Sequence, residues 1–326
     1  KVYLAANQEK DAREAFFKSR EIAPGNPYAS QALAELALKE NDFDKAHGYY
    51  HEVLKYHENY LPALLNLALI DGLTKNEKSM VEKLQQAINA HPKAVKPRLI
   101  LARHYLAMSK PDNASFLVSE LDEIQKKSPA VLNVIAKSQL AKKEYAEALI
   151  TLEKLIALQP GAADAHHLLA KVHTGLHDRE RAKAELQKSV ELAPKYVPAR
   201  LLLARMFLQE KNKAGVREQL EVLKELVPDN VDVLLIEATM AKQDAKPYEA
   251  LRLIEKVFEN SPTTSSMLVL ANQKNGMGDR EGALYIQEEW VKNHPEDLIA
   301  RMALANSYTT SNQQDMAIEQ YTSVLD

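Results

Sequence analysis

Hydrophobic positions along the chain recur with the spacing of amphipathic helices, and that pattern itself recurs every thirty-four residues. The stretch Ala163–Pro194 shows one unit. Leu168, Leu169 and Ala170 fall on the buried side of a first helix, Gly175 to Asp178 make a short polar break, a second helix packs Ala182, Leu186 and Val190, and Pro194 closes it. Stepping by the period from Ala170 reaches Ala204, Ala238, Ala271 (one residue early) and Ala305, and backwards Ala136, Ala102, Ala68 and Ala34. The second helix keeps its own small place at Ala12, Ala46, Ala114, Ala148, Ala182, Ala250, Ala283 and Ala317, with Met80 and Val216 larger. Helices whose axes lie about 8–10 Å apart need small side chains where backbones come closest.

The pattern predicts units beginning near Pro27, Leu61, Val95, Pro129, Ala163, Val197, Val231, Thr264 and Leu298, with a partial unit over 1–26 and another over 298–326. No proline falls in a predicted helix interior, where it would cost about 3 kcal/mol. No stretch alternates with period two, so the expectation is an all-α array over 1–326 with almost no strand. Asp42, Asp44, Asp112, Asp178, Asp279 and Asp315 sit in the breaks between helices, where a carboxylate can cap free N–H groups. The stretch SPTTSS (Ser261–Ser266), where one residue is missing from the period, reads as the weakest joint.

This pattern resembles the tetratricopeptide repeat, whose period is thirty-four residues. The repeat's leucine place is filled by Leu33, Leu67, Leu101, Ile135, Leu169, Leu203, Leu270 and Leu304, and its closing proline by Pro24, Pro92, Pro160, Pro194, Pro228, Pro262 and Pro295. Glu58 and Lys126 depart at closing places and Glu237 at a leucine place. The resemblance implies a right-handed superhelical solenoid of helix-turn-helix hairpins, with first helices lining an inner groove.

Composition narrows the function classes. The formal net charge is −3 and no basic block or tail occurs, which argues against a nucleic-acid partner. There is no cysteine, so disulfides, thiolate metal sites and cysteine nucleophiles are excluded, while the compartment stays open. No apolar run reaches the roughly 18–20 residues of a membrane span. The chain starts and stops inside repeats and reads as an excised fragment, so any leader or lipid anchor is expected outside it.

Within the resemblance, the place after the first-helix alanine faces the groove, and it reads Glu35, Leu69, Arg103, Lys137, Lys171, Arg205, Thr239, Asn272 and Asn306. Four successive units present a cation. Exposed ion pairs give about 0–1 kcal/mol each, so four supply at most roughly 4 kcal/mol, near millimolar affinity. Groove leucines such as Leu65 would have to add apolar contact. The candidate partner-binding set is Arg103, Lys137, Lys171, Arg205, Leu65, Leu69 and His167. The family's clamp for a peptide C-terminus is not supported, because Gln31, Glu35 and Ile100 stand where its lysine, asparagine and arginine would be.

His166, His173 and His177, and the pair His47 and His51, have helical spacings that suit a metal but read better as packing residues. Gly276 and Gly278 lack the strand and the Gly-Lys-Ser/Thr ending of a phosphate loop and read as a turn. Glu237 is expected to pair with a cation such as Arg200 or Arg205 or to lean toward the groove. No catalytic constellation and no cofactor site stand out.

Two segments, Ile88–Leu106 followed by long second helices, and Leu155–Val172, are similar to the repeat lipoproteins of the PEP-CTERM/exosortase system. That resemblance implies a non-catalytic scaffold of bacterial envelope exopolysaccharide biosynthesis or export and protein sorting, periplasmic or outer-membrane-anchored. Its partner would be a protein or peptide, an acidic one suiting the cations, or an acidic polysaccharide. The alternative is a cytoplasmic peptide-binding co-chaperone or assembly scaffold.

Overall fold

The computed structural model describes residues 9–325, and all the regular structure within them is helical. The N-terminal residues of the expected partial unit 1–26 and the last residue of the expected unit 298–326 lie outside the described residues. The first helices are α2 (Pro27–Lys39), α4 (Leu61–Leu73), α6 (Val95–Ala107), α9 (Pro129–Ala141), α11 (Ala163–Gly175), α13 (Val197–Gln209), α15 (Val231–Gln243), α17 (Thr264–Gly276) and α19 (Leu298–Thr310). Their partners are α3 (Phe43–Tyr56), α5 (Glu77–Ala90), α7 (Pro111–Ser119) with α8 (Glu123–Lys126), α10 (Tyr145–Leu158), α12 (Arg179–Leu192), α14 (Lys213–Leu226), α16 (Pro247–Asn260), α18 (Arg280–Asn293) and α20 (Gln314–Leu325). Helix α1 (Glu9–Ile22) precedes them.

The helices form two compact units, one of the described residues up to Pro160 with Lys171–His177, the other of Gly161–Ala170 with those from Asp178 on. In the first, one core gathers Tyr50, Val53, Leu67 and Ile70 and another Leu84, Leu101, Leu117 and Val134. In the second, cores form around Leu203, Leu223 and Ile236, around Leu234 and Ile254, and around Met267, Trp290 and Leu304. The small places behave as packing predicts. All nine first-helix alanines are buried, and so are Ala46, Ala114, Ala148, Ala182, Ala250, Ala283 and Ala317 on second helices.

Each hairpin turns the same way. The residue after the first helix and its cap takes a left-handed backbone, with φ between 56° and 62° at Asn41, Lys75, Ser109, Lys143, His177, Lys211, Ala245 and Asn312, and 88° at Gly278. The next N–H then reaches back five residues, as from Asn76 to Asp71 (2.7 Å) and from Glu144 to Gln139 (2.8 Å). This closes the orphan carbonyls of the helix end. Asp42, Asp178 and Asp279 cap second helices as expected, accepting from the N–H groups of Lys45, Arg181 and Gly282. Asp44, Asp112 and Asp315 do not sit at the cap; they lie in first turns.

Two expectations are corrected. The helix after Ile88–Leu106 is not long, since α7 stops after nine residues and resumes as the four-residue α8, capped by Asp122. Nor is Ser261–Ser266 a poorly bonded joint. Thr263 and Ser266 form a reciprocal capping box, and the Ser266 hydroxyl also reaches the Ser261 carbonyl at 2.6 Å. The poor helix formers there are caps, whose preference for such places is the reason they disfavour helix interiors.

Candidate functional site

The places expected to face a groove lie on first helices, where each follows a buried alanine. In the first unit Leu69 is 56% exposed, Arg103 and Lys171 are exposed, and Lys137 is half-buried. Among the described residues none lies within ion-pair distance of Arg103, Lys137 or Lys171. Arg205, in the second unit, differs: it meets Asp232 at 2.6 Å. One of the four predicted cations is thus compensated within the chain, and three in successive hairpins are not.

The neighbouring leucines are mostly core edge. Leu99 is buried, Leu65 and Leu106 pack partly buried on the Leu84–Leu101 core, and Leu201 and Leu208 do the same in the second unit. Met302 keeps 47% exposure. His167 is half-buried with its ring edge-on to Tyr196, centroids 5.6 Å apart, which holds it to its own unit.

The histidine trio does not share a helical face. His166 and His173 are buried, with His166 Nδ1 2.6 Å from Glu185 Oε2, whereas His177 lies past the end of α11 in the left-handed turn position. The His47 and His51 rings lie with centroids 4.5 Å apart, tilted by 52°, and His47 lies 3.7 Å from the buried Asp71 carboxylate. Burial, followed by the neighbouring His47, holds the His51 imidazole below its ordinary range. Among the described residues no group of three or more His, Asp or Glu has the geometry to hold a metal.

Glu237 finds a different partner from those expected. Its carboxylate meets Lys224 of α14 at 2.6 Å and lines a cavity of about 430 Å³ beside Arg217 and Asp244. The displaced leucine place therefore faces the cleft beside a second helix, and Arg200 is otherwise engaged.

Arg200 belongs to a set that sequence reading missed. At its register the units carry Ser30, Leu64, Arg98, Leu132, His166, Arg200, Leu234, Met267 and Arg301, so an arginine returns every third unit. Arg98 and Arg200 are buried and Arg301 is half-buried. Each donates to the closing proline carbonyl six residues back, at Pro92, Pro194 and Pro295. Arg200 and Arg301 also reach Gln219 and Gln320, nineteen residues on; Arg98 reaches the Leu117 carbonyl and Glu120, where α7 has broken. An arginine at a register that is leucine or methionine in four of the other units was the available signal. Among the described residues, no helix is long and apolar enough to cross a membrane.

Comparison with known proteins agrees with this architecture. The family profile described as the tetratricopeptide repeat protein 21 second ARM domain matches residues 59–211. A sequence search among curated proteins finds no match. Among solved structures, human IFIT1 with m7Gppp-AAAA is similar at 17% identity over 99% of this chain and 79% of that one, with a TM-score of 0.58. The APC/C hetero-tetramer Cut9-Hcn1 gives 13% identity, 99% and 71% coverage and a TM-score of 0.58. PilW, a type IV pilus biogenesis factor, gives 16%, 64% and 96%, and 0.55. At such identities the likeness speaks to fold, and in fold this chain is a tetratricopeptide/ARM-like helical-repeat protein.

Proposed function

We propose that the chain is a non-catalytic scaffold that holds an acidic segment of a protein or peptide partner along its first helices. The observation that carries this is that Arg103, Lys137 and Lys171 occupy the same place in three successive hairpins, with no ion-pair partner among the described residues. Three exposed pairs contribute at most about 3 kcal/mol. Burying the exposed half of Leu69 beside them adds about 1–1.5 kcal/mol, which brings a partner into the sub-millimolar range.

The setting we propose is the bacterial envelope, in exopolysaccharide biosynthesis or export and PEP-CTERM protein sorting, with an anchor outside this chain. Support for that setting is the similarity of Ile88–Leu106 and Leu155–Val172 to the repeat lipoproteins. The break in α7 departs from the pattern that the first of those segments was read with. A cytoplasmic co-chaperone or assembly scaffold is the second reading, and the same cations serve it.

The test compares wild type with Lys137→Glu/Lys171→Glu, matched by circular dichroism, for binding of fluorescent acidic peptides, alginate as an acidic polysaccharide, and a single-stranded oligonucleotide at 0.15 M salt. The expected outcome is peptide binding that weakens at least about tenfold on charge reversal. Equal binding by both proteins removes the cations from the site, and a preference for alginate or the oligonucleotide replaces the peptide as the partner.

A further inference from the structure

A cavity of about 760 Å³ opens between the second helices α5 and α7, with α6 lining it as well. Its volume falls in the range of about 300–1,000 Å³ typical of ligand sites. It occurs where α7 is cut short: nine residues against the fourteen of α5. At the break the buried Arg98 guanidinium turns to the Leu117 carbonyl and Glu120, and its Nε is left buried without a hydrogen-bond partner.

The charges around the cleft are already matched within the chain. Arg98 is held by Glu120, and Asp112 lies 3.3 Å from Lys142. What remains is uncharged. Gln85 donates to Asn89 at 3.0 Å, which leaves the Gln85 carbonyl and the Asn89 amide N–H groups available, and no side-chain hydrogen bond engages Asn113 among the described residues. Beside these amides stands Phe116, 63% exposed although it borders the buried Leu117. An exposed aromatic ring next to unpaired amides suits a ligand that is apolar at one point and polar but uncharged around it.

We propose that this cleft is a docking site for an uncharged peptide segment. The amides of Gln85, Asn89 and Asn113 read its backbone N–H and C=O groups, and one aromatic or branched aliphatic side chain seats against Phe116 and Leu117. A carboxylate ligand finds Arg98 already neutralised. A saccharide would share the Asp112 and Glu120 carboxylates with Lys142 and Arg98, whereas an uncharged peptide needs neither. The groups proposed to contact the peptide all lie on second helices, apart from the cations on first helices.

The experiment titrates the full ¹⁵N-labelled chain with a capped pentapeptide of four alanines around one phenylalanine. Parallel arms use the same peptide with glutamate or lysine at its centre, and maltotriose. The expected result is saturable movement of the Gln85, Asn89 and Asn113 side-chain amide signals with the phenylalanine peptide. Phe116→Ala should weaken it about tenfold and Asn113→Ala about threefold, with Lys137→Glu/Lys171→Glu unchanged. All four substituted side chains lie outside the buried core, and circular dichroism checks that the fold is kept. No saturable movement, equal binding by Phe116→Ala, or a response confined to maltotriose or to a charged peptide overturns the proposal.

Discussion

At the scale of single residues, the hairpin turn sets the strictest demand. Its central residue is left-handed in every complete hairpin, yet glycine fills the place only at Gly278, and Ala245 sits there with φ 56°. A Cβ in that region costs about 1–2 kcal/mol, partly offset by the entropy glycine loses on folding. Ala245→Gly is therefore expected to stabilise the chain by about 0.5–1 kcal/mol in urea unfolding. Gly175→Ala should do the reverse. Alanine ordinarily improves a helix by about 1 kcal/mol over glycine, but a Cβ at Gly175 would stand 2.3 Å from the Tyr145 ring. We expect a loss of about 1–3 kcal/mol from that overlap; a gain would mean that the ring swings away without cost.

At the scale of elements, helices α17, α18 and α19 meet at one carboxylate. Asp297 Oδ1 caps α19 by accepting from Ala300 N–H at 2.9 Å, and Oδ2 accepts from Trp290 Nε1 at 2.8 Å and from the Thr264 hydroxyl. Burial alone would raise its pKa, but these donors outweigh it and hold the carboxyl below its ordinary value of 3.8. The folded state thus binds its proton less readily than the unfolded chain. This contribution to stability is fully present above the unfolded pKa, near 4, and is lost as pH falls through the lower folded value. Trp290 is the chain's single tryptophan, so its emission reports the joint directly. We expect its emission to shift to the red as pH falls below about 4, and Asp297→Asn to show the shifted emission at pH 7. An unchanged spectrum in that variant would show that the carboxylate does not hold the ring. The same joint shows what a sequence reveals. The small alanines and closing prolines announced the hairpins, because packing distance and proline chemistry act through residue type alone. The Thr263–Ser266 box, the Asp297 junction and the break of α7 depend on which group reaches which across a turn. Of the candidate site, the cation register was legible; that Arg205 is paired with Asp232 while Arg103, Lys137 and Lys171 are not was not, because neutralisation is a matter of distance.

At the scale of the molecule, a repeat chain gains its stability from each hairpin's contacts with its sequence neighbours, so a lesion need not spread. The cores bear this out. The one around Tyr50 draws on residues between Ala34 and Ile70, and the one around Trp290 on residues between Met267 and Ala317. Ala34 is fully buried where α2 packs, and leucine there should overpack by about 1–3 kcal/mol. In denaturant titrations of Ala34→Leu we expect helical circular dichroism to lose part of its signal early while the Trp290 emission midpoint stays at the wild-type value. Two probes that part in this way show that no single unfolding free energy describes the chain. If the Trp290 midpoint falls together with the dichroism, the strain has crossed every intervening hairpin. The chain would then unfold as one cooperative body, and partner binding in one unit would be expected to stabilise the other.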